Sequence, residues 1–405
     1  MSSVLQGVRV VEVSAWAFVP SAGAVLADWG ADVVKVEPPT GDPIRGLVNA
    51  GIGPTEGLVF PWEIWNRGKR SLALDLTRPK AQEIVHRLVQ ESDVFLTSYL
   101  APTRQKLGLD ADTIRGLNPT IIYACGTGQG PQGPEADKGG YDAISFWSRG
   151  SVSAAVTPPG HAKPLGMPAG AFGDSLSGMS LAGGVAAALF RKARTGEGSI
   201  VDGSLLGTAM WCMQMGAVGG AVAAASGAQA PTAPSTAVMN PLVNTYRTAD
   251  DRWVALCMLQ PDLYFDGFCQ AIGRTDMISD PRYATPEARR RHGPDIVADI
   301  EATFSGADLE HWRKALSTQK GQWDVVNRPL DLLEDEQARI NGFVQTVDYG
   351  AGRQLPIISS PVQFDHTPPT LCPAPEFGAD TDEILATIGM NPEAIIEAKI
   401  DGAVI

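Results

Sequence analysis

The chain has 405 residues, 44% hydrophobic and 19% charged, with 44 Gly and 30 Pro among them. That leaves room for two or three domains and describes an ordinary turn-rich globular protein. A net charge of −13 argues against a nucleic-acid or anionic-membrane partner, but not against a phosphorylated ligand held by a local basic patch.

In chain order, VRVVEV (8–13) reads as a buried strand, a helix is predicted over roughly Gly23 to Trp29, and ADVVKVE (31–37) reads as the next strand. This is a βαβ unit, so the fold should open as an α/β protein with a parallel sheet. SLALDL (71–76), DVFLTSY (93–99) and TIIYACG (120–126) are further strands, and PKAQEIVHRLVQES (79–92) carries apolar residues at helical spacing. A helix is predicted from Asp174 to Ala193, ended by the turn TGEG, after which SIVDGSLL (199–206) restarts the chain. AAASGAQAPTAPST (223–236) has linker composition, and YRTADDRWVALCM (246–258) reads as a hairpin. The run from Ile278 to about Gln319 looks helical and solvated, and the tail carries a helix from Thr381 to Ile388 with more helix beyond.

Five cysteines (Cys125, Cys212, Cys257, Cys269, Cys372) form no CxxC pair and have no histidine at metal-ligand spacing, the pattern of free thiols in a reducing cytosol. The N-terminal MSSVLQGVRVVEV lacks a basic region followed by an apolar core. No signal peptide is therefore expected, and a cytoplasmic location is. No residue from Gly203 to Tyr246 is charged. Its Gly and Ala content suits a closely packed or subunit-interface helix better than a membrane span.

Among possible sites, GQGPQG (128–133) matches a dinucleotide fingerprint, but Pro131 and Pro134 follow where a helix would have to open, so it reads as a loop. Arg67, Lys69, Arg70, Arg78 and Lys80 fall within 14 residues against one acid, Asp75. At the end of a strand such groups can meet phosphate, and the alternative is a solvated surface run. His86, His161, His292, His311 and His366 form no motif. Asp174 is the sharpest feature, since it is the one charged side chain between Lys163 and Arg191 and stands in AGAFGDSLSGMS just before a helix-like run. It could be a helix N-cap, and a helix N-terminus would also stabilise its ionised carboxylate. Gly178, Ala182 and Ala186 follow at a spacing of four, leaving a nearly bare helix face.

Together these segments resemble the class III CoA transferases, the family of formyl-CoA transferase, carnitine CoA transferase and, as a divergent branch, the 2-methylacyl-CoA racemases. The resemblance runs through LQGVRVVEVS, ADWGADVVKVEPP, NRGKRSLALDL, GYDAISFWSRG, GDSLSGM and RTGEGSIVDGSLL, and resumes at NPLVNTYRTADDRWVAL, DPRYAT and GADTDEIL. It implies a large Rossmann-like CoA-binding domain from residues 1–225 and a smaller α+β domain over 226–330. A C-terminal segment, 331–405, would return to the large domain, in an obligate homodimer of interlocked rings. It also implies acyl-CoA and carboxylate substrates with no permanently bound cofactor and no metal, and a nucleophilic role for Asp174 through an aspartyl-CoA thioester. Backbone N–H groups of neighbouring glycines would hold the developing oxyanions.

By the same resemblance Leu74, Asp75, Ser98, Tyr99, Lys106 and Tyr141 fall where the family contacts CoA. Pro38 and Thr77 stand in place of basic residues, with Arg78 adjacent as a substitute, and Ala17 and Phe18 replace a polar pair near the reacting centre. These departures point away from formate and oxalate towards a larger or more apolar acyl group. The racemase branch pairs its aspartate with a histidine in a GHD motif, which here reads Gly140-Tyr141-Asp142, and tyrosine is a poor proton shuttle at neutral pH. A non-catalytic CoA-binding subunit is the alternative from another class, and the intact GDSLSGM argues against it.

Overall fold

The computed structural model describes residues 3–50, 58–227, 240–350 and 352–405. Most of the linker-like stretch 223–236 lies outside them. The chain divides into two compact units, Met1–Ala233 with Glu336–Ile405, and Pro234–Asp335.

The larger unit begins β1 (Arg9–Val13), α1 (Phe18–Asp28), β2 (Asp32–Glu37), α2 (Phe60–Asn66), β3 (Arg70–Ala73), α3 (Pro79–Gln90) and β4 (Val94–Thr97). It continues α4 (Ala101–Lys106), α5 (Ala111–Leu117), β5 (Ile122–Thr127), a π-helical turn (Ala143–Ser148), α6 (Val152–Val156), α7 (Phe172–Thr195), β6 (Ser199–Ser204) and α8 (Leu205–Ala225). The six strands form one parallel sheet in the order β3-β2-β1-β4-β5-β6. β1, β2, β4 and β5 are buried on both faces, as parallel strands covered by helices must be. On one face Val11, Leu72, Phe95 and Tyr123 pack with Ile84 and Leu88 of α3 and with Ile384, Leu385 and Val404 from the chain's end. On the other, Val10, Val33, Leu96 and Ile122 pack with Leu26 of α1 and Leu181 and Val185 of α7. The C-terminal residues close the sheet's rim, where Leu74 bridges Val404. The strand order reverses between β1 and β4, and ligands of open α/β sheets bind outside the strand ends at such a point.

Local departures from the sequence reading have local causes. Helix α1 starts at Phe18, five residues ahead of the predicted Gly23, because Pro20 falls in its first turn, where a missing N–H costs nothing. Residues 199–204 form a sixth strand before the chain turns into α8. Residues 128–133 form a loop of bends after β5.

In the smaller unit β7 (Val243–Arg247), β8 (Trp253–Cys257) and β9 (Trp323–Val325) form an antiparallel sheet. The run expected to be solvated is amphipathic instead. Its helices Gly293–Phe304 and Leu309–Leu316 bury Ile296, Ile300, Phe304, Trp312 and Leu316 against Tyr246 and Phe268. A spacing of three and four places these residues on one face, so the charges occupy only the other.

Candidate functional site

The carboxyl end of β1 is set by a buried network of charges. Glu12 and Lys35 are register partners on β1 and β2, and both side chains are fully buried. Lys35 Nζ meets Glu12 at 3.0 Å and Asp42 at 2.8 Å and donates to the Ser14 carbonyl at 3.0 Å. Lys69 Nζ meets the other Glu12 oxygen at 2.8 Å and donates to the Pro20 carbonyl at 2.8 Å and to Asn66 at 2.9 Å. Asp42 Oδ1 accepts the N–H of Trp16 at 3.2 Å and that of Ile44 at 3.0 Å. This ties down the β1–α1 turn, in which Trp16 takes a left-handed φ of 71°. Burial alone would lower the Lys35 pKa, but Asp42 and Glu12 outweigh it and raise it. Burial pulls Lys69 down to about 8 against the attraction of Glu12.

The basic run expected to reach phosphate is therefore mostly consumed inside the fold. Lys69 is buried on Glu12, Arg67 pairs with Asp28 at 2.6 Å, and Arg70 pairs with Asp32 at 2.6 Å. Arg78 stays exposed beside Asp75, 3.5 Å away.

Asp174 lies in the first turn of α7. It is not the N-cap: that position is Ala171, in a left-handed conformation and with no cap bond of its own. The acceptor comes from 31 residues upstream, where Asp142 Oδ2 takes the Gly173 N–H at 2.9 Å. Among the described residues the Asp174 carboxylate accepts no hydrogen bond. Burial first, and then repulsion from Asp142, push its pKa up to about 7. Helix α7 crosses α1 closely. A Cβ on Gly178 would stand 1.7 Å from Ser21 Oγ and 2.7 Å from the Phe18 carbonyl, so only glycine permits this approach. Ser21 Oγ in turn donates to the Phe18 carbonyl at 2.7 Å and the Asp174 carbonyl at 3.3 Å.

The other sequence-predicted site residues gather at strand ends. Ala17 and Phe18 are buried at the start of α1. Ser98, just past β4, accepts the Ala15 N–H at 3.0 Å, joining the ends of β1 and β4 at the switch point. Tyr99 follows it, half-buried, and burial raises its hydroxyl pKa. Leu74 is fully buried in the C-terminal bridge, and its N–H donates to the Glu37 carbonyl at 2.9 Å. Asp75 accepts from the backbone N–H and the hydroxyl of Thr77. Lys106 is exposed at the last turn of α4. Tyr141 is 57% exposed and meets Trp16 edge-on at 5.8 Å. Sequence reasoning missed Trp16, Asp42 and the capping role of Asp142. A visible signal existed only for the network, as Glu12 and Lys35 interrupt otherwise apolar strands.

The sheet is doubly wound, and the head of α7 carries a carboxylate that accepts no hydrogen bond among the described residues. Residues 5–381 match the model of CoA-transferase family III. The chain is 32% identical over 398 residues to (R)-2-hydroxy-4-methylpentanoate CoA-transferase of Clostridioides difficile, covering 98% of each. It is 30% identical to cinnamoyl-CoA:phenyllactate CoA-transferase of Clostridium sporogenes, over 99% of this chain and 97% of that one. A CAIB/BAIF family protein from Brucella suis superposes with a TM-score of 0.80 at 26% identity, over 96% of this chain and 100% of that one. The chain belongs to CoA-transferase family III and is a class III CoA-transferase, an enzyme acting on CoA thioesters.

Proposed function

We propose that the enzyme moves CoA from a donor acyl-CoA to a carboxylic acid through an aspartyl-CoA thioester on Asp174. The observation that carries this reading is a carboxylate at the head of α7 that accepts no hydrogen bond among the described residues, with burial and then Asp142 raising its pKa to about 7. A carboxylate in that condition is a stronger nucleophile than an ordinary one, yet still ionised in half its copies at neutral pH. Attack on the donor thioester gives a mixed anhydride. CoA thiolate attacks the aspartyl carbonyl, the donor acid departs, and an acceptor carboxylate runs the steps in reverse. The Gly173 N–H, a glycine donor expected for the oxyanions, is taken by Asp142. The role then falls to the open first turn of α1, where among the described residues the N–H groups of Ala17 and Phe18 donate to nothing.

CoA is assigned to the rim of Ser98, Tyr99 and Lys106 with Asp75, Arg78 and Leu74, and Tyr141 faces the reacting end. Trp16 and Tyr141 form an edge-to-face pair, an apolar surface that suits a branched or aromatic acid, in keeping with the acids for which the two clostridial relatives are named. A homodimer is part of the proposal. Met210, Trp211, Met215, Val218 and Val222 stand exposed along α8, and by length and composition this helix could also cross a membrane. A second copy of the chain is the cover proposed here. The racemase reading gains nothing, since Tyr141 stands where that branch has histidine.

The test is mass spectrometry of the enzyme with cinnamoyl-, 4-methylpentanoyl- and succinyl-CoA and no acceptor. A gain of CoA less water, trapped by hydroxylamine on the peptide holding Asp174, is the expected result. An adduct elsewhere, or none with any donor while transfer proceeds, overturns it.

A further inference from the structure

A second carboxylate sits at the head of α7, against the backbone of the proposed nucleophile, and the acyl-transfer steps give it no part. Asp142 is only 5% exposed. Its Oδ2 accepts the N–H of Gly173 at 2.9 Å and lies 3.5 Å from that of Asp174, while its Oδ1 is buried with no hydrogen-bond partner. The fit leaves no slack, for a Cβ on Gly173 would stand 2.5 Å from that Oδ1 and 2.2 Å from the Phe146 ring. The free N–H groups of a helix's first turn ordinarily stabilise an anion there. In α7 Asp142 takes the Gly173 N–H and lies near that of Asp174, and among the described residues the Asp174 carboxylate accepts no hydrogen bond while a like charge stands nearby.

We propose that Asp142 is a positioning residue that withholds the α7 N-terminus from Asp174, keeping the nucleophile basic, and that their repulsion is relieved when Asp174 becomes an aspartyl-CoA thioester. This deepens the function proposed above and rests on it. In the forward half-reaction an Asp174 oxygen forms a bond to the donor's carbonyl carbon, and the carbon–sulfur bond breaks to release CoA thiolate. The thiolate then bonds to the Asp174 Cγ, and the Cγ–oxygen bond breaks to release the donor acid as its carboxylate. One negative charge persists throughout, beginning on Asp174 and ending on the departing acid. Asp142 therefore faces an anion before the sequence and a neutral thioester after it. Repulsion raises the starting state without raising the intermediate, which favours acylation.

Other titratable groups do not compete for this part. Helix α1 carries only Asp28, paired with Arg67. Strand β5 has Tyr123 and Cys125, which lie with Arg104, and β6 has Asp202, which also faces Arg104. Helix α8 has Cys212, the 143–148 turn has none, and the basic residues of α7, Arg191, Lys192 and Arg194, stand at its far end. Of all these only Asp142 bears on Asp174, adding to the effect of burial.

The experiment is the pH dependence of adduct formation in a single turnover, with the same three acyl-CoA donors, for the wild type, Asp142→Asn and Asp142→Ser. Asparagine and serine both keep an oxygen for the Gly173 N–H and remove the charge. The wild type should show half-maximal rate near pH 7. Each variant should move that midpoint down by about one pH unit, the shift expected when a close like charge is removed, and should have a lower rate on its alkaline plateau. Profiles in both folded variants that superimpose on the wild type would reduce Asp142 to a helix cap and overturn the proposal. A wild type that forms no adduct at any pH overturns the function reading itself, a different result from unshifted profiles.

Discussion

Replacing Asp174 with asparagine separates chemistry from architecture at one position. The carboxylate accepts no hydrogen bond among the described residues, and the cap of α7 is supplied by Asp142, so asparagine removes no bond on which the fold depends. What it removes is an ionisable group whose pKa rises from 3.8 to about 7 on folding, through burial and then Asp142. A group with a raised folded pKa contributes stability that is fully present below its unfolded value and is lost as pH climbs through the folded one. Taken whole, the shift corresponds to about 4 kcal/mol at 1.36 kcal/mol per pH unit. The side chain is only half-buried, and solvent screening reduces this to about 1–2 kcal/mol. The Asp174→Asn protein should therefore melt higher than the wild type at pH 8.5, by about 1–3 °C, with a smaller advantage at pH 5, and should lose transfer by a factor of at least about 1,000. Thermal unfolding at the two pH values, beside acyl transfer between CoA thioesters and free acids, reads both. A melting advantage that does not change with pH would refute the ionisation argument. A folded variant that retains transfer would refute the nucleophile.

Gly178→Val should destabilise the fold by about 1–3 kcal/mol in urea unfolding, because its side chain would enter the Ser21–Phe18 contact with α1. Lys69→Ala should cost about 3–5 kcal/mol by stripping one cation from buried Glu12, with equal kinetic losses for CoA and 3′-dephospho-CoA substrates. Arg78→Ala, at an exposed site, should leave unfolding unchanged and raise KM for CoA thioesters. Sedimentation at nanomolar concentration should find a dimer, and a folded monomer there would remove the role proposed for the exposed face of α8.

The chain's periodicities and turn residues alone specify the parallel sheet. VRVVEV, ADVVKVE and DVFLTSY are short, largely apolar runs bounded by turns and rich in β-branched residues, the pattern of strands covered on both faces. The isolation of Asp174 in an uncharged segment was equally legible, since it is a property of composition. Whether that carboxylate caps α7 or stands free of it was not. The answer depends on Asp142, brought from 31 residues away by the packing of the 143–148 turn against α7. The basic run at 67–70 likewise looked ready for phosphate until the order of β3, β2 and β1 set Lys69 on Glu12 and Arg70 on Asp32. Charge and spacing along a chain show which groups are available. Which of them remain free is decided by neighbours that strand order supplies from elsewhere in the sequence, because a buried charge must take whatever partner the fold brings within reach.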